Sequence, residues 1–102
     1  MSGDAGVDWF ISHTTGAPEA LRARSQRFFD AAPPGELVQR LATAGRAALG
    51  EATRDGAARA AALDLLAADT LITLALLRAV EDDPTTLGVA ASALRRQVPP
   101  SA

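Results

Sequence analysis

Residues 57–82 read AARAAALDLLAADTLITLALLRAVED, and this stretch contains neither glycine nor proline. At about 1.5 Å rise per residue it predicts one helix roughly 39 Å long. On a helical wheel its large apolar side chains cover roughly 260° of the circumference. Those side chains are Leu63, Leu65, Leu66, Leu71, Ile72, Leu74, Leu76, Leu77 and Val80. A helix that is apolar on most sides needs several neighbours, so we expect the other helices to pack around this one.

Two amphipathic segments precede this long helix. The first starts at residue 16 or 17 and ends before Pro33, because a residue preceding proline is displaced from the helical region. The second covers residues 34–49, and Gly50 is expected to end it by adopting a left-handed conformation. The apolar stripes are Leu21, Ser25, Phe28, Phe29 and Ala32 in the first segment, and Leu37, Val38, Leu41, Ala44, Gly45 and Ala48 in the second.

The two ends of the chain differ in how clearly they predict a helix. Residues 4–12 allow a short helix, followed by a loop at 12–16 because Ser, Thr and His side chains there compete for backbone hydrogen bonds. Asp83 is a suitable N-cap with Pro84 behind it, and together they predict a last helix that stops before Pro99. The apolar stripe of that helix is Leu87, Ala91, Leu94 and Val98.

These segments predict an all-α fold. We expect a small bundle of four main helices around a long central apolar helix, and the sequence leaves open a short fifth helix at the N-terminus. Residues 1–102 are expected to form a single domain with short flexible ends at 1–4 and 99–102. Strands are disfavoured because period-2 alternation is absent, and a coiled coil is disfavoured because no heptad pattern persists over several turns.

Composition narrows the class of protein. The net charge is −2, all basic residues are arginine and there is no cysteine. We therefore expect a bacterial, cytoplasmic protein without disulfides, and no nucleic-acid partner, since binding to phosphates needs clustered cations. The longest strongly apolar run, residues 71–77, is far shorter than the roughly 20 residues of a membrane helix, so no membrane partner is expected either.

Asp69 is the residue whose position in the pattern is most unusual. It falls inside the apolar arc of the long helix, and Thr73 follows one turn later. A buried carboxylate needs a partner, so we interpret Asp69 chiefly as a structural anchor that accepts hydrogen bonds from an arginine, a helix N-terminus or the tryptophan. A ligand-binding role for Asp69 and Thr73 is the alternative.

His13 and Arg22 are the other candidate ligand-binding residues. His13 precedes a predicted helix N-terminus, where backbone amides and Arg22 can hold an anion. An ordinary helix-capping loop explains the same residues and is preferred. One histidine without cysteine makes a zinc site improbable, and no catalytic, nucleotide-binding or cofactor motif is present, so we expect no catalytic residue, metal or cofactor.

The sequence favours a non-enzymatic role. The first hypothesis is an interaction or scaffold module that self-associates, as a homodimer, because the long apolar helix outreaches its shorter neighbours. A further protein partner is compatible with this role. The alternative is a small-molecule-binding protein or minor enzyme with a pocket near Asp69 and His13. Nucleic-acid binding through Arg22, Arg24 and Arg27 is a weaker third hypothesis, because an aromatic stacking platform is missing.

Overall fold

The computed structural model describes residues 5–54, 58–85, 88 and 92. Within this part of the chain there are four helices and no strand: α1 (Ala5–Thr14), α2 (Glu19–Ala31), α3 (Leu37–Arg54) and α4 (Ala58–Asp82). The predicted all-α fold, a small helical bundle, is confirmed. The apolar stripe predicted for a last helix, at 87, 91, 94 and 98, lies outside the described residues.

Helix α1 is longer than the sequence indicated. The loop predicted at 12–16 is wrong in its first half, since the helix continues to Thr14. The hydroxyl of Ser12 donates to the Trp9 carbonyl oxygen at 2.8 Å, and that of Thr14 donates to the Phe10 carbonyl oxygen at 3.0 Å. These side chains bond to carbonyls one turn earlier, which is compatible with helical backbone, so they extend the helix instead of interrupting it.

Helix α2 ends where the sequence predicted. Ala32 leaves the helix with an extended backbone, and its N–H still donates to the carbonyl oxygens of Phe28 and Phe29. Pro33 follows directly and accounts for the extended conformation of Ala32. The buried residues Ser25, Phe28 and Phe29 belong to the predicted stripe.

Helix α3 passes through the position where we expected it to stop. Gly50 lies inside the helix, which continues to Arg54. A glycine inside a helix costs only about 1 kcal/mol relative to alanine, so it does not terminate a helix by itself. The last turn is stabilised by an ion pair between Arg54 Nη2 and Glu51 Oε2 at 2.8 Å. The predicted stop at Gly50 is therefore wrong.

The contact between α3 and α4 is made largely by small residues. Gly45 shows how close the two helices are: a Cβ atom built on it would lie 2.8 Å from Ile72 Cγ1. The small buried residues are Ala44, Gly45 and Ala48 on α3, and Ala67, Ala68 and Ala75 on α4. The absence of a side chain at Gly45 allows this approach, because a Cβ atom there would collide with Ile72.

Aromatic rings join α1 to α2. Phe10 and Phe29 are both fully buried, and their rings stack with centroids 4.3 Å apart. The guanidinium of Arg40, at the start of α3, lies 4.1 Å from the Phe29 ring centroid, and its Nε donates to the Phe29 carbonyl oxygen at 3.2 Å. Phe29 therefore links three helices at one end of the core.

Helix α4 is continuous to Asp82, as predicted, but the side that it buries differs from the predicted one. Its buried residues are Asp64, Ala67, Ala68, Leu71, Leu74 and Ala75. Most of its large side chains face solvent, so the expectation that neighbouring helices cover them is wrong. The expectation that Asp69 is buried is also wrong, since Asp69 is exposed on the same side. The buried side of α4 combines three alanines with Leu71 and Leu74, and Ile72 at its edge lies against Gly45 of α3.

Candidate interaction surface on α4

One side of α4 carries a continuous apolar surface. We call it the outer face and define it as Leu65, Leu66, Asp69, Ile72, Thr73, Leu76 and Leu77. Its large side chains are between 39% and 56% exposed, with Leu76 at the upper limit and Ile72 at the lower. Only two other large apolar side chains of the described residues are exposed, Ile11 on α1 and Leu49 on α3. The exposed apolar surface is thus concentrated on a single helix.

The outer face is large in energetic terms. The exposed fractions of its five aliphatic side chains add up to more than two whole side chains. Covering that surface would contribute about 4 to 7 kcal/mol per molecule, at about 1.5–3 kcal/mol for each fully buried side chain. Single exposed leucines are ordinary on protein surfaces, whereas contiguous apolar patches mark interaction sites.

Two polar residues lie in the middle of the outer face. Asp69 and Thr73 are one helical turn apart and both are exposed. Neither side chain has a hydrogen bond or ion pair within the described part of the chain. By contrast, the neighbouring Thr70 hydroxyl donates to the Leu66 carbonyl oxygen at 2.9 Å. The outer face therefore presents a carboxylate acceptor and a hydroxyl donor that are available to a partner.

The apolar surface continues from α4 onto α3. A groove of about 340 Å³ lies between the two helices. Its lining residues are Val38, Ala42 and Arg46 of α3, and Ile72, Ala75, Leu76 and Ala79 of α4. Ile72 and Leu76 belong both to the groove and to the outer face. A molecule that covers the outer face would therefore also cover part of the groove.

Comparisons with protein-family models, curated proteins and solved structures found no match. The functional interpretation of the outer face therefore depends on its own residues and geometry.

The four predicted ligand-binding residues lie in three places. Asp69 and Thr73 are together on the outer face, as their spacing predicted. His13 stacks on Trp9 with ring centroids 4.0 Å apart, and its Nδ1 lies 2.8 Å from the Trp9 carbonyl oxygen. Arg22 pairs with Glu19 along α2 at 2.6 Å. His13 and Arg22 thus have partners within their own helices, and a ligand-binding role for any of the four stays a prediction.

The buried carboxylate of α4 is Asp64 and not Asp69. Asp64 is 1% exposed, and its Oδ1 lies 3.1 Å from Arg24 Nη1 of α2. The two atoms form an ion pair that joins α2 to α4. The anchoring role predicted for Asp69 therefore belongs to Asp64. Its place on the wheel, among the alanines of α4, was the signal that could have identified it.

Helix α4 has one further property that bears on its surroundings. Judged by length and composition alone, α4 is long and apolar enough to cross a membrane. Of an apolar 18-residue stretch of this helix, 33% is buried inside the protein. Core helices of soluble proteins are often equally long and apolar, so this property is only weak evidence for a membrane-spanning helix. Within the described residues, no group of three or more His, Asp or Glu side chains could hold a metal ion.

Proposed function

We propose that this protein is an interaction module that self-associates through the outer face of α4. The observation that carries the proposal is that, among the residues that the structure describes, five of the seven exposed large apolar side chains lie on that one face. A monomer would forgo about 4 to 7 kcal/mol of hydrophobic stabilisation, because these side chains would stay in water. A partner that covers the face recovers this free energy, and a second copy of the chain brings the same face with it.

The way α4 divides its side chains supports a partner on its outer side. The helix turns Ala67, Ala68 and Ala75 inward and leaves Leu65, Leu66 and Leu76 in solvent. Burying alanine removes less apolar surface from water than burying leucine. The arrangement becomes favourable when the leucines are buried as well, and self-association through the outer face would bury them.

The charges at the ends of α4 favour a second copy as the partner. Arg59 lies near the amino end, whereas Glu81, Asp82 and Asp83 lie at the carboxyl end. Arg78 is already paired with Asp82 at 2.9 Å. Two copies of α4 in opposite directions bring the basic end of each beside the acidic end of the other. A face with opposite charges at its two ends is therefore complementary to itself.

A membrane surface and a nucleic acid fit this face less well. Insertion into lipid would place the Asp69 carboxylate in an apolar medium without a donor, which is costly. Nucleic acid requires clustered cations, and the outer face has none. We also propose a cytoplasmic location and a bacterial origin, which rest on the absence of cysteine and of lysine in the sequence.

Sedimentation equilibrium on the full chain tests the proposal. We expect a dimer, and we expect Leu66→Glu and Leu76→Glu to weaken dimerisation by about 100-fold, because each substitution occurs twice in a symmetric dimer. Ile11→Glu is the matched control, since Ile11 is 44% exposed but lies on α1. It should leave the dimer intact.

Two results would overturn the proposal. The first is a monomeric wild-type chain at about 0.5 mM, a concentration that populates even weak dimers. In that case the chain's own residues 86–102, or another molecule, would be the cover. The second is a dimer that persists unchanged in both Leu66→Glu and Leu76→Glu, which would place the contact on another surface.

A small-molecule role is the second candidate, and the groove between α3 and α4 favours it. Its volume of about 340 Å³ lies in the range of ligand sites, and its lining is apolar except for Arg46. That chemistry suits an aliphatic carboxylate, with the carboxylate on Arg46. We expect octanoate to raise the melting temperature of the wild type more than that of Arg46→Ala. Equal shifts, or no shift, would argue against this role.

A further inference from the structure

We propose that two copies of α4 pair in antiparallel orientation in one register, with Asp69 of each copy bonded to Thr73 of the partner subunit. This inference rests on the proposed self-association and adds its geometry. It starts from two rows of residues at intervals of seven along α4. Their members in the helix are exposed except for the half-buried Val80, and Asp83 directly follows the helix. The first row is Arg59, Leu66, Thr73 and Val80, and the second row is Ala62, Asp69, Leu76 and Asp83.

The two rows are complementary when one of them is reversed. Arg59 then meets Asp83, Leu66 meets Leu76, Thr73 meets Asp69, and Val80 meets Ala62. The two residues of each match are chemically compatible. The matches are, in order, two opposite charges, two leucines, a hydrogen-bond donor with an acceptor, and two aliphatic side chains. No match places an apolar side chain against a charged one. This agreement over four layers is the observation that carries the inference.

Antiparallel helices bring these rows together. In a helix pair with residues repeating every seven positions, the two rows form the seam that packs against the partner helix. When the helices run in opposite directions, the first row of each packs against the second row of the other. A two-fold axis makes every match occur twice, because residue i contacts j and j contacts i. All four matches then belong to one register, since in each pair the two residue numbers have the same sum.

The central layer sets the direction and the register. Thr73 of one copy donates its hydroxyl proton to the carboxylate of Asp69 of the partner subunit, between layers of leucine. A hydrogen bond to a charged group gains strength when water is excluded from it. Parallel helices would instead place Asp69 opposite Asp69 of the partner subunit, and two carboxylates there would repel each other. The two-fold axis makes this polar match occur twice at the centre of the seam, and polar residues at seam positions are a known means of fixing register.

Exchanging the two residues of the central layer tests the register directly. The single variants Asp69→Thr and Thr73→Asp replace the pair by two hydroxyls or by two carboxylates. We expect Asp69→Thr to weaken dimerisation by about 10- to 100-fold and Thr73→Asp to abolish it, as measured by sedimentation equilibrium. The double variant D69T/T73D restores a carboxylate opposite a hydroxyl and should recover the wild-type association within about threefold.

The double variant is informative because a merely structural effect would not be rescued. If the polar residues only disturbed folding, or only added charge to the face, the two substitutions would accumulate. A double variant that associates no better than Thr73→Asp would therefore overturn the proposed register. Circular dichroism on each variant confirms that the helices remain folded.

Thiol cross-linking tests the direction of the helices. The chain contains no cysteine, so introduced thiols are unique. Ala62 and Val80 are about 27 Å apart along one helix, at about 1.5 Å per residue. In the antiparallel pair, Ala62→Cys chains mixed with Val80→Cys chains should be joined by a short bifunctional maleimide. Neither variant should be joined to itself.

The possible outcomes separate this inference from the function on which it rests. If Ala62→Cys chains are joined to one another while the protein is dimeric, the helices are parallel; the inference fails and self-association stands. If the protein is dimeric and no combination is joined, the contact has another geometry, and again only the inference fails. If the wild-type protein is monomeric, both proposals fail.

Discussion

The two glycines inside α3 occupy opposite environments, and this difference is measurable at the scale of one methyl group. A Cβ atom on Gly45 would lie 2.8 Å from Ile72 Cγ1, whereas one on Gly50 would lie 3.8 Å from Arg54 Nη2. The first distance requires Ile72 or the helices to move, and the second is an ordinary contact. Alanine favours the helix over glycine by about 1 kcal/mol at either position.

We expect Gly45→Ala to destabilise the protein by about 1 kcal/mol, because overpacking at Ile72 outweighs the gain in helix propensity. The matched control Gly50→Ala should stabilise it by about 0.5–1 kcal/mol. Urea denaturation followed by circular dichroism measures both changes. In an Ile72→Ala background, Gly45→Ala should become stabilising; a loss of the same size there would contradict the close contact.

Asp83 provides a prediction about pH. Its Oδ1 accepts hydrogen bonds from the Thr85 hydroxyl at 2.7 Å and from the Thr85 backbone N–H at 3.1 Å. The hydroxyl bond and then the backbone bond lower the pKa of Asp83 below its ordinary value of 3.8. Because the folded pKa is depressed, the stabilisation is complete above that ordinary value and is lost as the pH falls through the folded pKa.

We therefore expect Thr85→Val, which keeps the backbone N–H but removes the hydroxyl, to raise the pKa of Asp83 towards 3.8 without reaching it. NMR titration of the side-chain carboxyl carbon measures this pKa. Thr53→Val is a suitable control, because the Thr53 hydroxyl donates to the Gly50 carbonyl oxygen and has no contact with Asp83. An unchanged pKa in Thr85→Val would contradict the capping geometry.

At the scale of the helix, the ion pair between Arg24 and Asp64 connects α2 to α4. Asp64 is almost fully buried, and the side chain of Arg24 is 23% exposed. Removing one partner leaves the other charge without compensation in a site with little water, which is costly. Replacing both by apolar residues removes that penalty.

We expect Arg24→Met to destabilise the protein by about 3 kcal/mol, and the double variant R24M/D64L to recover most of that loss. Thermal and chemical denaturation measure both. Arg27→Met is the matched control on α2, because Arg27 is exposed. A double variant as unstable as Arg24→Met would show that Asp64 is not the group left uncompensated.

The course of α4 shows how far the sequence alone predicts the fold. Its unbroken run to Asp82 follows from the absence of Gly and Pro. The bounds of the last helix, for which Asp83 and Pro84 were the predicted start, lie outside the described residues. The stripes of α2 and α3 follow from their helical spacing. The stop at Gly50 was wrong because a glycine permits a helix end without requiring one.

The burial of α4 could not be predicted by the same reasoning. Periodicity identifies an apolar arc, but it does not determine which side of a helix lies against its neighbour. That choice depends on the packing of both helices, in which Gly45 of α3 leaves room for Ile72 of α4. The buried, ion-paired carboxylate is accordingly Asp64 where the sequence pattern predicted Asp69, and the ligand-binding roles of Asp69, Thr73, His13 and Arg22 stay predictions.

For the whole molecule, the proposed self-association predicts that folding depends on protein concentration. A ligand or partner that binds only the folded state stabilises it by mass action. We expect the thermal midpoint of the wild type to rise with protein concentration, with about 1.4 kcal/mol of added stability per tenfold increase for a dimer that unfolds to monomers. Calorimetry over a hundredfold range of concentration measures this dependence.

The variant Leu66→Glu should show no such dependence, because its association is too weak to contribute. Ile11→Glu should behave like the wild type. A wild-type midpoint that does not change with concentration would mean that the folded state gains nothing from a second copy.

Trp9 of α1 lies against the end of α4, and this position makes it an intrinsic fluorescence probe of the contact between the two helices. It is the only tryptophan, and the chain has no tyrosine. Its Nε1 donates to Glu81 Oε1 at 3.0 Å, and Arg78 Cζ lies 5.6 Å from the ring centroid. Fluorescence emission therefore comes from a single indole between α1 and the end of α4. When α1 detaches, that indole enters water and its emission shifts to longer wavelength, so one step of unfolding is visible without an added dye.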